Sequence, residues 1–408
     1  MACLVAGLRG GVSEDLSATN LANISTRLLA GDLSRAGIED FLRNGGLPRF
    51  LSIVVNDTCN LRCRHCYLQM DESAQPFLTL PEWERVTESL CDSDIRMVCL
   101  SGKEVFVGST GPAVLAMLQR LRAQNRAFFR LGTITNGTRL HLHPDAFHEE
   151  SFSYLDISMD GMQEAHDAVR GKGSFDRTVA NVRWLAPRFA DRLFSMVTLM
   201  SENVNKIPEI VVGMSGLGFR QMGFGFYLPQ RYTDSSLTLE STDAVHIFEV
   251  LHELATISVA QPISVQVDLD SIVLDQLLAF LGSDWFDPAT LKVDRMGELF
   301  NEYRFGNGVT LRFRIIPYPT GIWKASRLNP DGNFLAAEDT MDAKSYGERS
   351  IANIRDFDFD FKAMDRFALD SPRIQQILDR YTENVLPRIV EAAALRMRQP
   401  ALSEASFL

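Results

Sequence analysis

The chain has 408 residues, of which 46% are hydrophobic and 23% charged, with a formal net charge of −11 at pH 7. Such a composition belongs to a globular protein with a sizeable core, built as one large domain with an appendage or as a few ordinary domains. The acidic balance argues against a nucleic-acid surface, which needs clustered Lys and Arg, and no apolar run is long enough to span a bilayer.

Residues 1–48 read as a helical prelude, two polar-rich stretches that end at an Asn-Gly-Gly turn. The opening MACLVAGLRGG lacks a basic flank and a clear cleavage site, so no secretory signal is expected. The expected compartment is therefore the cytoplasm, where clustered cysteines read as metal ligands rather than disulfides. FLSIVV (Phe50 to Val55) is a β-branched apolar run, the mark of a strand buried on both faces. A helix is expected from Thr79, with Thr79 as N-cap and Pro81 in the first turn. Strand 96–100, helix 112–124, strand 128–134 and strand 154–158 follow. Helix 175–185, strand 193–199, helix 207–215 and strand 220–227 complete the series. Strands alternating with helices wind a parallel sheet, so the expected fold class is α/β, a partial (β/α)6 barrel over 49–230.

Residues 231–408 read as a C-terminal extension. It holds a helix over 242–259, a strand over 263–268 and a helix over 271–281. TLRFRII is strand-like, RLNPDGNFLAA carries a Pro-Asp-Gly turn between two extended segments, and a long amphipathic helix is expected over 372–398.

The stretch NDTCNLRCRHCYL places Cys59, Cys63 and Cys66 at C-x3-C-x2-C spacing, directly after the first strand. Parallel α/β barrels put their active sites at that end of the strands. Three thiolates can hold three corners of a [4Fe-4S] cube and leave one iron open to a substrate or cofactor. The alternative is a structural zinc that adds His65, but a residue between Cys63 and Cys66 converges poorly on the same ion. Of the remaining cysteines, Cys3 is isolated, while Cys91 and Cys99 sit in apolar surroundings and read as core.

C-x3-C-x2-C, with aromatic His65 before the third cysteine and Tyr67 after it, resembles the signature of the radical S-adenosylmethionine (radical SAM) enzymes. The resemblance implies one [4Fe-4S] cluster and S-adenosylmethionine (SAM) as cofactors. One electron cleaves SAM to methionine and a 5′-deoxyadenosyl radical, which takes a hydrogen atom from the substrate. LSGKEVF resembles the family's Gly-Gly-Glu-Pro motif for the SAM amino group, keeping Gly102 and Glu104 but carrying Lys103 and Val105 instead of Gly and Pro. TNGTRL, with Asn136, matches a common family turn. DISMDGMQEAHDAVRGKG resembles the family's Ser-x-Asp-Gly…His-Asp…Arg-Gly segment. It implies Ser158 and Asp160 near the SAM carboxylate or ribose, with His166 and Arg170 at the cofactor or substrate mouth. The alternative for His166, Asp167 and Arg170 is a capping and salt-bridge cluster on a loop.

Beyond residue 230 the resemblance continues toward the anaerobic sulfatase-maturase and SPASM peptide-maturase branch. That region normally carries cysteines for auxiliary clusters, yet this chain has none after Cys99; Ala336, Ala337 and Glu338 follow the hairpin instead. The extension is expected to be a cluster-free, SPASM-like scaffold, which favours redox-neutral outcomes. Asp268 and Asp270 are candidate general bases, with an N-cap as the other reading of Asp270. The expected substrate is a peptide side chain or backbone. A small natural-product intermediate and a non-catalytic cluster- and SAM-binding protein are the alternatives. A flavodoxin or ferredoxin is the expected one-electron donor, with no nucleic-acid or membrane partner.

Overall fold

The computed structural model describes residues 26–27, 29–32, 34–44, 49–68, 75–93, 95–148, 150–230, 233–269, 274–293, 299–315, 325–336 and 348–398. Of the helical prelude it describes helix α1 (Arg35–Asn44), while residues 1–25, with Cys3, lie outside the described residues. No helix of the described residues is long and apolar enough to cross a membrane.

The expected alternation is present. Strand β1 (Arg49–Val54) leads through the cysteine loop to helix α2 (Leu80–Ser89), then β2 (Ile95–Ser101), α3 (Thr110–Ala123), β3 (Arg130–Thr135) and β4 (Tyr154–Ile157). Two helices, α4 (Gln163–Arg170) and α5 (Ser174–Phe189), precede β5 (Leu193–Leu199), α6 (Ile207–Leu217) and β6 (Gln221–Phe226). Helix α2 starts as expected: Thr79 caps it and Glu82 reaches back to the cap N–H, closing a capping box. Helix α4 differs from the alternative reading of His166, Asp167 and Arg170, which set them on a loop; Gly171, at φ 104°, stops it.

The sheet is larger than six strands. The extension supplies α7 (Ser241–His252), β7 (Ile263–Leu269), α8 (Leu274–Leu281), β8 (Lys292–Val293), β9 (Leu299–Arg304), β10 (Val309–Ile315), β11 (Ala325–Leu328), β12 (Asn333–Ala336) and β13 (Ala352–Asn353). The strand order is β13-β12-β11-β1-β2-β3-β4-β5-β6-β7-β10-β9-β8. Strand β11 runs parallel to β1, β7 parallel to β6 and β10 parallel to β7. The physical reason is the open edge: β1 and β6 would otherwise end the sheet with a row of unpaired N–H and C=O groups. The Pro-Asp-Gly hairpin is present as β11 against β12, with Gly332 at φ 88°.

The last helix differs from its expected single span. After a separate α9 (Phe361–Leu369), it divides into α10 (Pro372–Arg380), a wider π turn over Tyr381–Val385 and α11 (Leu386–Met397). Pro387 lacks an N–H and its ring pushes against the preceding turn, which displaces the hydrogen-bond ladder there.

Alternation along the strands separates two faces. Leu51, Ile53, Val98, Leu100, Leu131 and Leu155 join the core beneath the helices. Phe50, Met97, Cys99, Tyr154 and Phe194 face the other way and pack as a separate apolar layer within the barrel. Cys99 is fully buried there, as expected of a core residue, whereas Cys91 is only partly buried against the helix-side core. Both layers hold the strand ends rigid beneath the loops that carry the site.

Candidate active site

The cysteine loop begins where β1 ends and is pinned on both sides. Asn56 donates from Nδ2 to the carbonyls of Glu104 and Val107 at 2.9 and 3.1 Å. The Glu104 N–H donates to the Thr58 carbonyl at 2.9 Å, so the GKE loop after β2 lies directly alongside. Gly102 fits this approach because a Cβ there would stand 2.9 Å from Asn56 Oδ1. Lys103, in place of the family's second glycine, pairs with Asp57. The lysine therefore ties the GKE loop to the cysteine loop.

Glu104 is 2% exposed. Its Oε1 accepts from Thr135 Oγ1 at 2.6 Å and Phe106 N at 3.1 Å, and its Oε2 accepts from Asn136 N at 2.8 Å. Burial pushes its pKa up from the usual carboxylate value, while the hydrogen bonds from Thr135, Asn136 and Phe106 push it down. Three of about four acceptor positions are used by the protein, leaving one for a ligand. Asn136 extends the connection: its Nδ2 donates to Asn60 Oδ1 at 3.1 Å and reaches Cys59 Sγ at 3.8 Å. The loops after β1, β2 and β3 thus form one hydrogen-bonded unit.

The loop after β4 braces the cysteines from behind. Asp160, fully buried, accepts from Arg170 Nε at 2.6 Å and Thr198 N at 3.2 Å. His65 Nε2 lies 3.5 Å from Arg170 Nη2 and 3.7 Å from Asp160 Oδ2. Burial dominates His65 and lowers its pKa to about 4, so the ring is neutral. For Asp160 the Arg170 guanidinium overcomes burial and holds the carboxyl down at about 2. His166 is also buried and neutral, pushed to about 4 by burial, and its Nδ1 accepts from Asp160 N. Asp167 caps α5, accepting from Gly173 N, Ser174 Oγ and Phe175 N. The capping and salt-bridge reading therefore describes Asp167 and Arg170, on a helix rather than a loop. Ser158 is half-buried, and its hydroxyl has no protein partner among the described residues.

Asp268 sits in a forked ion pair. Arg314 donates from Nε and Nη2 at 3.0 and 2.8 Å, and Gln266 Nε2 donates as well. With both oxygens engaged, the geometry does not single it out as a base. Asp270 lies outside the described residues, as do Ala337 and Glu338. Sequence reasoning missed Asn56, Asp57 and Asn60, whose only signal was adjacency to the motifs, and Arg314, which had none; Thr135 was read as part of the TNGTRL turn, without its hydrogen bond to Glu104.

The thiols fit a [4Fe-4S] cluster. Burial pushes all three up, Cys63 to about 12, so an adjacent positive centre is needed to make them thiolates. Among the described residues no group of three or more His, Cys, Asp or Glu is gathered tightly enough for a single metal ion. Cys59, Cys63 and Cys66 would hold the cluster, and Glu104, Asn136 and Ser158 line the loops beside it.

Comparison with known proteins points the same way. Residues 53–212 match the radical SAM superfamily. The chain is 30% identical over 156 residues to pre-heme d1 synthase of Dinoroseobacter shibae, covering 38% of this chain and 37% of that one. It is 26% identical over 191 residues to the antilisterial bacteriocin subtilosin biosynthesis protein AlbA of Bacillus subtilis, covering 44% and 40%. The matched region thus spans about two fifths of each relative. Among solved structures, Streptococcus suis SuiB bound to precursor peptide SuiA shares the fold at a TM-score of 0.54 and 12% identity, over 91% of this chain and 72% of that one. A tagged form of anSMEcpe with bound AdoMet does so at 0.54 and 14%, over 82% and 84%. Residues 53–212 thus carry a radical SAM domain, and enzymes of that superfamily use a [4Fe-4S] cluster and S-adenosylmethionine.

Proposed function

We propose that this protein is a radical SAM peptide-modifying enzyme. Residues 49–230 form its cofactor-binding unit, and residues 231–408 form a cluster-free wall of the substrate site. The observation that carries the reading is the joined set of loops after β1, β2 and β3, which places three cysteines, Glu104 and Asn136 together at the strand ends. A bound cluster, held by Cys59, Cys63 and Cys66, would supply one-electron chemistry for reductive cleavage of SAM and hydrogen abstraction from the substrate. The protein's own contribution is position: Asn56 and the Lys103–Asp57 pair fix the loops, and the Asp160–Arg170–His65 brace fixes the back of the cysteine loop. AlbA and the peptide-bound SuiB favour a peptide substrate. With no cysteine beyond Cys99 to hold an auxiliary cluster, a redox-neutral outcome is favoured. A flavodoxin or ferredoxin would supply the electron.

Short peptides encoded beside the gene provide the test. Incubated anaerobically with reconstituted protein, SAM and reductant, the substrate peptide should change in mass or stereochemistry as 5′-deoxyadenosine accumulates. Turnover of a small metabolite with every such peptide unchanged would favour the second reading. That reading is supported by the matches to pre-heme d1 synthase and to GTP 3′,8-cyclase of Vibrio vulnificus.

A further inference from the structure

Three arginines are buried among the described residues, and their charges are not treated alike. Arg170 has Asp160 at 2.6 Å, and Arg314, 2% exposed, has the Asp268 fork at 2.8 and 3.0 Å. Arg327, on β11, is 3% exposed and has no carboxylate partner among the described residues. Its Nε donates to Asn329 Oδ1 at 2.8 Å, while Nη2 is fully buried with no acceptor among the described residues.

Its position follows from register. Arg327 pairs with Ser52 of β1, while the flanking Ile53 and Leu328, themselves a register pair, belong to the core beneath the helices. Arg327 and Ser52 therefore share the opposite, inner face. From there the guanidinium reaches the cysteine loop, its central carbon 5.9 Å from the centre of the Tyr67 ring, immediately after Cys66. A guanidinium stays charged, and burying it without a counter-ion is expensive, so native proteins pair such groups. Its planar fork matches carboxylate and phosphate oxygens.

We propose that Arg327 is an oxyanion-binding residue of the active site, donating from Nη2 to a carboxylate or phosphate oxygen of a ligand held beside the cysteine loop. This rests on the radical SAM reading for what else occupies the site. The oxyanion has two possible sources, the methionyl carboxylate of SAM or an anionic group of the substrate. In either case the extension completes the site with a guanidinium free of a carboxylate partner among the described residues, whereas Lys103 and Arg170 of the β1 to β6 unit are paired with Asp57 and Asp160.

The test uses the full chain with its cluster reconstituted anaerobically, as wild type, Arg327→Gln and Arg327→Lys. Equilibrium binding is measured for SAM and for decarboxylated SAM, and thermal unfolding is followed with and without inorganic phosphate or acetate. If SAM is the source, Arg327→Gln weakens SAM by about one to two decades and leaves decarboxylated SAM unchanged. If the substrate is the source, SAM affinity is unchanged, and phosphate or acetate raises the unfolding temperature of wild type but not of Arg327→Gln. Equal behaviour of wild type and Arg327→Gln in both arms overturns the proposal. So does an effect confined to the cluster's midpoint potential, which would make Arg327 a counter-charge to the cluster. Should Arg327→Gln lose iron, Arg327→Lys is read in its place, keeping the charge but losing the fork and giving a smaller change in the same direction. Failure of the wild type to bind SAM at all would overturn the proposed function instead, and the phosphate and acetate arm still decides the role of Arg327.

Discussion

Replacing Glu104 by Gln removes one acceptor oxygen from a buried group that uses both. In the wild type two backbone N–H groups, of Phe106 and Asn136, and the Thr135 hydroxyl all point at the carboxylate. A glutamine can turn its oxygen toward Phe106 and Thr135 or toward Asn136, but not both. Its NH2 group then faces a backbone N–H. One charge-assisted bond is lost and one buried donor is stranded, a cost on the order of 2–4 kcal/mol. Urea unfolding of the apoprotein should fall by that amount, with amide exchange accelerating around residues 104–107 and 135–138. SAM affinity should fall by about one to two decades through loss of the remaining acceptor position and of the loop's shape. A Glu104→Gln protein that keeps wild-type stability and exchange while losing SAM affinity would refute the clasp and leave only a direct contact with the SAM amino group.

Asp156 is fully buried, one oxygen accepting from Met196 N and the other without a partner among the described residues, and burial raises its pKa to about 7. Because the folded value lies above the unfolded one, the neutral form stabilises the fold below about pH 4, and that contribution is lost as pH rises through 7. The span from 3.8 to about 7 corresponds to about 4 kcal/mol, so Asp156→Asn should flatten the decline in unfolding free energy toward pH 8; an unchanged profile would show that Asp156 is already ionised. For Lys103 and Asp57, partly exposed at 18% and 29%, a double-mutant cycle of Lys103→Gly with Asp57→Asn should give a coupling of about 0.5–1 kcal/mol in stability; additive effects would mean the lysine acts elsewhere. Protein purified without oxygen should be brown, with about four irons per chain, and should lose both colour and iron in air; eight or more irons would contradict a single cluster held by Cys59, Cys63 and Cys66.

What the sequence made legible follows from how local each signal is. The run of β1, the Thr79 cap and the cysteine spacing each lie within a few residues, and each recurs in the structure where the sequence places it. Glu104 and Gly102 were found by their motif, but what they touch could not be, because Thr135, Asn136 and Asn56 come from other strands. The nine-strand parallel run was hidden for the same reason. Nothing in ASRL or VTLRFRI says which edge will receive it, since parallel pairing is settled by distant chain segments. Arg327 lies four residues before Asp331 in the hairpin RLNPDG, and only the register against Ser52 reveals that it faces inward.

The most direct test of the central claim is anaerobic reduction of the reconstituted protein in the presence of SAM, followed by quantitation of 5′-deoxyadenosine. The wild type should form it, and Cys59→Ala, Cys63→Ala and Cys66→Ala should each reduce it to background. Product formation that survives loss of any one of the three cysteines, or a fully loaded wild type that forms none, would contradict it.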